Sequence, residues 1–417
     1  MNINLKEKKN KFYEKGIIMS EIKEVDVLVI GAGPAGSMAG KCAAENGAKT
    51  LIIEKKSEIG TPKRCAEGIR DSDIEKLGLD IDERCIARCI DGASIISPNN
   101  TRAMFTTENI KANITGVVLE RKVFDKHLTM DAIRCGCEVM IKTEATSMKR
   151  DSDGCFIVDV VSFQEKRTQI KAKIVIGADG PEGHTGPWAG INTKVPQKEM
   201  ESGVQYEMTN MKMLKNDSLE FYFGSVAPGG YAWIFPKGYD TANVGIDINS
   251  AKAQKSAIEY LNDFIADCYA TQDAQIVEIN VGGNPLCGVF DEITTDNFML
   301  VGDAAGCVNP VTGGGIDTAI ESGMIAGEVA AKAIANGDYS KDALSDYVDY
   351  IDEHINQKFK KLIKIRDFIY DELDDSDLDE FTKALSEADF DEFSFKNMLK
   401  ILMKTSPRKL LKLRKLL

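Results

Sequence analysis

Val25-Asp26-Val27-Leu28-Val29-Ile30-Gly31-Ala32-Gly33-Pro34-Ala35-Gly36 decides the fold class. Of its first six residues four are β-branched and five apolar, as in a buried strand, and they run straight into a Gly-x-Gly-x-x-Gly turn. An Ala-rich helical stretch follows and closes at Gly47, and Thr50 to Ile53 then forms a second buried strand ending at Glu54. Strand, helix and strand make a βαβ unit. Gly31 permits the tight turn, Gly33 lets the backbone approach a pyrophosphate, and Gly36 lets helix and strand pack closely. The helix start offers unpaired N–H groups to the anion. Glu54 stands 18 residues beyond Gly36, where a carboxylate accepts both ribose hydroxyls and repels a 2′-phosphate. The unit predicts an adenosine diphosphate moiety without choosing between FAD and NAD.

Two later segments choose FAD. Lys173 to Ile176 opens into Gly177-Ala178-Asp179-Gly180, and Phe298 to Val301 opens into Gly302-Asp303-Ala304-Ala305-Gly306. Gly313-Gly314-Gly315 and a helical stretch from Ile316 to Ile334 come next. A flavin dinucleotide outreaches one βαβ unit. It needs an acceptor for the ribityl hydroxyls, which Asp303 supplies, and a second helix N-terminus near the diphosphate and ring, which Gly314, Gly315 and Ile316 supply. Alone, Gly302-Asp303 would read as a turn capping the next segment. No second Gly-x-Gly-x-x-Gly occurs, so a dedicated NADPH domain is absent and electrons come from outside, with ferredoxin, a reduced deazaflavin and NAD(P)H all open.

These segments in this order resemble the flavoprotein superfamily of para-hydroxybenzoate hydroxylase over Val25 to Asn336, including a helix opening at Glu120-Arg121-Lys122-Val123-Phe124-Asp125. Pro62-Lys63-Arg64-Cys65-Ala66-Glu67-Gly68-Ile69 and Tyr231-Ala232-Trp233-Ile234-Phe235-Pro236-Lys237-Gly238 look like motifs of the geranylgeranyl reductase family. The resemblance implies FAD contacts at Ala35, Glu54, Cys65, Ala66, Gly68, Arg121, Ala145, Asp303, Gly315 and Ile316. It also implies an α/β fold, α+β overall: a Rossmann-like FAD-binding domain of the para-hydroxybenzoate hydroxylase type, an inserted antiparallel β-sheet substrate domain and a helical C-terminus. The expected divisions are a disordered extension (1–19), a discontinuous FAD-binding domain (20–95, 112–195 and 285–338), a substrate-binding sheet (96–111 and 196–284) and a helical region (339–417). The implied activity is FAD-dependent reduction of CH–CH groups in the isoprenoid chains of (di)geranylgeranylglycerophospholipids, a step of archaeal membrane lipid biosynthesis. The alternative on the same scaffold is an FAD-dependent aromatic monooxygenase.

Reducing an isolated alkene delivers a hydride to one carbon and a proton to the other, so the protein must orient a featureless chain and exclude water. Cys65 is the expected catalytic residue nearest the reactive ring, because Pro62 and Gly68 bracket its loop. It reads equally as a polarising or proton-delivering thiol and as a small packed hydrophobe beside flavin-binding amides. Leu219-Glu220-Phe221-Tyr222-Phe223 alternates, and Pro228-Gly229-Gly230 and Lys237-Gly238 are turn signals, as in a β-sheet inserted between flavin-binding segments. Tyr231, Trp233 and Phe235 alternate too, so all three project from one face of a strand. That face is either the core face of the sheet or an aromatic wall for an isoprenoid tail, and the family resemblance favours the wall.

Composition sets the remaining bounds. With 417 residues, 43% hydrophobic and 28% charged, the chain buries a sizeable core. Its net charge of -13 argues against nucleic acid. Ten Cys without a Cys-x-x-Cys pair and three scattered His predict reduced thiols and no metal centre. A Gly-x-Ser-x-Gly elbow is absent, which disfavours a hydrolase. No apolar run approaches the roughly 18 residues of a membrane span and no secretory signal precedes Met19, so a cytoplasmic enzyme with peripheral membrane contact is expected. The charge is uneven: 371–392 holds eleven acids and one Lys, whereas 396–417 holds eight Lys or Arg and no acid. A basic, Leu-rich segment over 398–417 either lies on an anionic membrane surface or packs on the acidic segment, and a lipid substrate favours the membrane.

Overall fold

The computed structural model describes residues 22–108, 114–388 and 401. The expected extension over 1–19 and all of the basic C-terminal segment except Ile401 lie outside the described residues. The strand Lys23–Ile30 is the centre of the first sheet, with Thr50–Ile53 parallel on one side and Lys166–Gly177 parallel on the other. Glu138–Met140 and Phe298–Leu300 extend it, again in parallel. Phe156–Ser162 and Glu144–Arg150 add an antiparallel flap. Val27, Leu28, Val29, Leu51, Ile52 and Ile174 are fully enclosed, which explains why the central strands read as unbroken apolar runs rather than alternations. Each such side chain contributes about 1.5–3 kcal/mol on burial.

Two helices cover the parallel strands at the nucleotide end. Pro34–Glu45 starts at the glycine turn with Pro at its first position, where a missing N–H costs nothing. Ile316–Asn336 crosses it with the backbones in contact, since a Cβ on Gly323 would fall 2.1 Å from the Ala35 carbonyl oxygen and one on Gly327 2.4 Å from that of Ala39.

The second sheet has seven strands in the order Gln275–Pro285, Met200–Thr209, Ala242–Asn249, Tyr231–Pro236, Ser218–Tyr222, Gly92–Ile96 and Arg102–Thr106. It is antiparallel except for one pairing: Ser218–Tyr222 runs parallel to Gly92–Ile96. That exception to the expected antiparallel insert arises because a long stretch of chain, including the first-domain elements from Gly116–Leu119 to Lys166–Gly177, separates the two strands in sequence and gives the long crossover a parallel pair requires. Gly92–Ile96 also belongs to this sheet, so the second sheet begins ahead of the expected boundary at 96. Ala232, Ile234, Val244 and Ile246 turn one face of the sheet onto Leu261 and Phe264 of the helix Ala257–Asp267. The opposite face looks at the first domain. A three-stranded sheet, Gly68–Arg70, Gly116–Leu119 and Ile86–Ile90, lies between them.

The C-terminal region is helical, with Ser345–Ile351, Gln357–Glu372 and Asp375–Ser386. Its acidic residues dock on the second sheet: Asp375 accepts from the Ser225 amide at 2.9 Å and Asp379 from that of Asn99 at 3.0 Å. Ile401 is buried with Ala103, Phe105 and Leu385. Among the described residues no helix is long and apolar enough to cross a membrane.

Candidate active site

The glycine turn is shaped by contact on one side and openness on the other. Gly31 sits at φ +111°, and a Cβ there would lie 2.2 Å from the Ala178 carbonyl oxygen; a Cβ on Gly36 would lie 1.9 Å from the Gly31 oxygen. Around Gly33 there is nothing within 4 Å of where a Cβ would project. No side chain caps the helix that begins there, so its first amides, including those of Ala35 and Gly36, face an open cradle. Glu54 follows the strand Thr50–Ile53 directly, beside the glycine turn. Its carboxylate accepts from the Ala32 amide at 3.0 Å and the Lys56 amide at 2.8 Å, which fixes it at the strand tip with lone pairs to spare. Ala145 lies in the neighbouring strand Glu144–Arg150, two residues past Thr143, whose amide bonds the Glu54 carbonyl at 2.8 Å.

Asp303 stands in a short turn of helix at Gly302–Ala305, and a Cβ on Gly315 would come 3.6 Å from its Oδ1. Burial pushes the Asp303 carboxyl up and Arg121 draws it back. Gly315 is the uncapped start of the helix Ile316–Asn336, so a second set of free amides points to the same region. These residues fit FAD: two open helix starts for the diphosphate and ring, a carboxylate at each sugar-like end, and a glycine gap for the backbone to approach the ligand.

Cys65 reaches this region from its loop, packing in one cluster with Met38, Leu119 and Ile316. Its Sγ accepts from the Glu67 amide at 3.1 Å. Burial pushes the thiol up and Arg121 opposes this. Arg121 itself is clamped in a two-pronged pair with Asp125, at 2.6 and 3.0 Å.

Beneath the loop lies a cluster that the sequence reading did not single out. Glu67 is fully enclosed at φ +75°, and its carboxylate meets Lys63 at 3.1 Å, Lys237 at 2.9 Å, Asn243 Nδ2 at 2.7 Å and the Arg121 amide at 2.9 Å. Glu207 joins both lysines, and Glu120 meets Lys237 at 2.7 Å. Asn243 also holds the Ala66 carbonyl at 3.2 Å, and Gln205 that of Cys65 at 3.0 Å. Burial raises the Glu67 carboxyl, but Lys237 and Lys63 outweigh it and leave it below the usual carboxylate range. Lys63, Glu67 and Lys237 all stand in the quoted motifs; Glu207 and Asn243 carry no local signal beyond an alternation of polar residues along their strands.

Tyr231, Trp233 and Phe235 share the sheet face turned toward this loop. Trp233 and Phe235 pack with Ala66, Val118 and Ile90, and a Cβ on Gly68 would lie 3.1 Å from the Phe235 ring, so Gly68 is where the wall meets the loop. Trp233 donates to Gln205 at 3.0 Å, and the Tyr231 hydroxyl donates to the Thr312 carbonyl just ahead of the glycines at 313–315. Phe221 and Phe223 extend the row, with ring centroids 5.6 and 5.7 Å from Tyr231.

Residues 199–284 match the geranylgeranyl reductase catalytic domain family and residues 26–72 an FAD-binding domain family. The chain is 68% identical to digeranylgeranylglycerophospholipid reductase 3 of Methanosphaera stadtmanae, over 95% of this chain and 99% of the relative. It is 48% identical to digeranylgeranylglycerophospholipid reductase 1 of Methanothermobacter thermautotrophicus, over 95% and 99%. Among solved structures it is similar to a geranylgeranyl bacteriochlorophyll reductase-like protein of Thermoplasma acidophilum, with TM-score 0.89 and 34% identity over 95% of this chain and 100% of that one. A flavin-dependent brominase, at TM-score 0.67 and 18% identity over 94% and 100%, shares the fold alone.

Proposed function

Because this chain belongs to the digeranylgeranylglycerophospholipid reductases of the geranylgeranyl reductase family, we propose that it hydrogenates the isoprenoid double bonds of geranylgeranylated glycerophospholipids, using FAD. The observation that carries the reading is the meeting of the aromatic row Tyr231–Trp233–Phe235 with the Cys65–Gly68 loop beside the dinucleotide cradle. FAD, when bound, supplies the hydride. The rest falls to the chain: Glu54, Asp303 and the amides at Ala35, Gly36, Gly315 and Ile316 hold the dinucleotide, and the aromatic row and Ala66 orient the alkene and keep water away. Cys65, kept as a thiol by burial, polarises the reacting face. Electrons come from an external donor, whether ferredoxin, reduced deazaflavin or NAD(P)H.

Anaerobic incubation of chemically reduced protein with digeranylgeranylglycerophospholipid should raise the lipid mass by one H2 per double bond, as read by mass spectrometry. An unchanged lipid mass with flavin bound would sink the substrate assignment.

We also propose contact with anionic membrane through the basic C-terminus beyond Ile401, each Lys or Arg adding about 1 kcal/mol near the surface. Ile401 itself is held against Phe105 and Leu385, so the start of that segment is tied to the acidic helix. Full-length protein should float with anionic liposomes, and protein ending at Ile401 should not; equal recovery of the two removes the membrane role.

A further inference from the structure

The sheet face that carries the aromatic row also carries two buried carboxyls that the site described so far does not use. Asp247 pairs directly across the strands with Tyr231 on one side and Gly203 on the other. Glu201 stands two residues from Gly203 along the same strand, hence on the same face, opposite Asn249 and Asn284. Asp247 is 8% exposed and Glu201 3%. The only side-chain hydrogen bond to Asp247 described is from Asn284, at 3.3 Å, and no ion pair joins either carboxyl among the described residues.

The surroundings make room for the Asp247 carboxyl. A Cβ on Gly203 would lie 2.4 Å from its Oδ1, and one on Gly313 3.7 Å from its Oδ2. Gly313 begins the glycine run that leads into the helix at Ile316, so the carboxyl is wedged at the entrance to the flavin-facing helix start. Groups facing the pair from the other packed elements are Tyr231, Tyr370, Arg366 and Lys252, with Cys65 beyond Tyr231. The two cations are engaged elsewhere: Arg366 with Glu199, Asp367 and the Leu286 carbonyl, Lys252 with Asp371 and the Tyr370 carbonyl. Tyr370, with Phe223, Gly230 and Leu373, lines a cavity of about 240 Å³ between the second sheet and the C-terminal helices.

We propose that Asp247 and Glu201 hold one exchangeable proton between them, and that this is the proton the isoprenoid alkene receives. The inference rests on the reductase reading above. As hydride and its electron pair add to one alkene carbon from the reduced flavin, the π pair forms a C–H bond at the other carbon. The proton of the pair passes from Glu201 to Asp247, whose O–H bond then breaks and leaves its electrons on the carboxylate, and Glu201 regains a proton from water. Burial supports the assignment. It raises both carboxyls, and Glu201 the further because Asp247 stands beside it, so two like charges are avoided and the pair keeps one proton near neutrality, resting on Glu201 and within reach of Asp247.

The test uses full-length, flavin-loaded protein. Infrared spectra of the lipid-free wild type, titrated in H2O and D2O, should show a protonated carboxyl band that is lost in Glu201→Gln, moved in Asp247→Asn and kept in Cys65→Ala. Single-turnover lipid reduction should fall at least about 100-fold in Asp247→Asn with lipid affinity unchanged. The pH profile of Glu201→Gln should lose one of its two limbs. An exchangeable band missing from wild type, an Asp247→Asn rate within about threefold of wild type, or an unaltered Glu201→Gln profile each overturns the proposal. If Asp247→Asn does not fold, the Glu201→Gln profile decides. Were the wild type to leave the lipid unreduced, the reductase reading would fail, and the infrared titration would still report on the pair.

Discussion

Protein carrying Gly36→Val should purify without flavin. A Cβ at this position meets the Gly31 carbonyl oxygen at 1.9 Å and the Ala178 Cβ at 3.0 Å. The nearer obstacle is backbone, so no rotamer change relieves it, and Gly31 is itself pinned at φ +111° against Ala178. The turn must open, which withdraws the amides of Ala35 and Gly36 from the diphosphate. Affinity should fall at least about 100-fold, or about 2.7 kcal/mol. The ratio of flavin to protein absorbance after dialysis measures it, and stoichiometric flavin in the variant would refute the account. Gly33→Ala separates fold from ligand. Its new methyl meets nothing in the protein, so thermal stability should be unchanged while flavin binding weakens.

Glu67→Gln should cost about 3–5 kcal/mol of stability, because it leaves Lys63 and Lys237 enclosed with one fewer counter-charge. Glutamine offers one acceptor oxygen where the carboxylate offered two, so either the Arg121 amide or the Lys63, Lys237 and Asn243 donors lose theirs, which adds to the cost and slackens the loop that presents Cys65. The folded-state carboxyl is held below its ordinary 4.5, so its contribution is present above that value and is lost as pH falls through the lower folded value. Urea unfolding of wild type should therefore weaken on acidification, and that dependence should be smaller in Glu67→Gln. A variant within about 1 kcal/mol of wild type at neutral pH would show that the cluster does not hold the loop.

The dinucleotide half was legible because its chemistry is local. Gly31, Gly33, Gly36 and Glu54 lie within one βαβ unit, and backbone contact distances explain each glycine. The second sheet was legible only in part. Glu201, Gly203, Gln205 and Glu207, and likewise Asn243, Gly245, Asp247 and Asn249, occupy every second position, which in isolation describes a solvent-facing edge of a half-buried sheet. The first domain covers that face instead, so the alternation marks a polar interior. No period along one strand reveals what another domain will cover. The acidic residues over 371–392 stand in the sequence as one of two alternatives for the basic tail, beside an anionic membrane; Asp375 and Asp379 accept from loop amides of the second sheet, bonds set by tertiary docking rather than by charge pattern.

The parallel pairing of Gly92–Ile96 with Ser218–Tyr222 has a consequence for how the chain reaches its native state. The early hairpin of Gly92–Ile96 and Arg102–Thr106 leaves a ribosome with one edge unpaired, and its partner strand is synthesised only after most of the first domain. Closing so long a loop raises contact order and slows folding. Until that closure the hairpin edge is open to pairing with another chain, which exposes it to misassembly during synthesis.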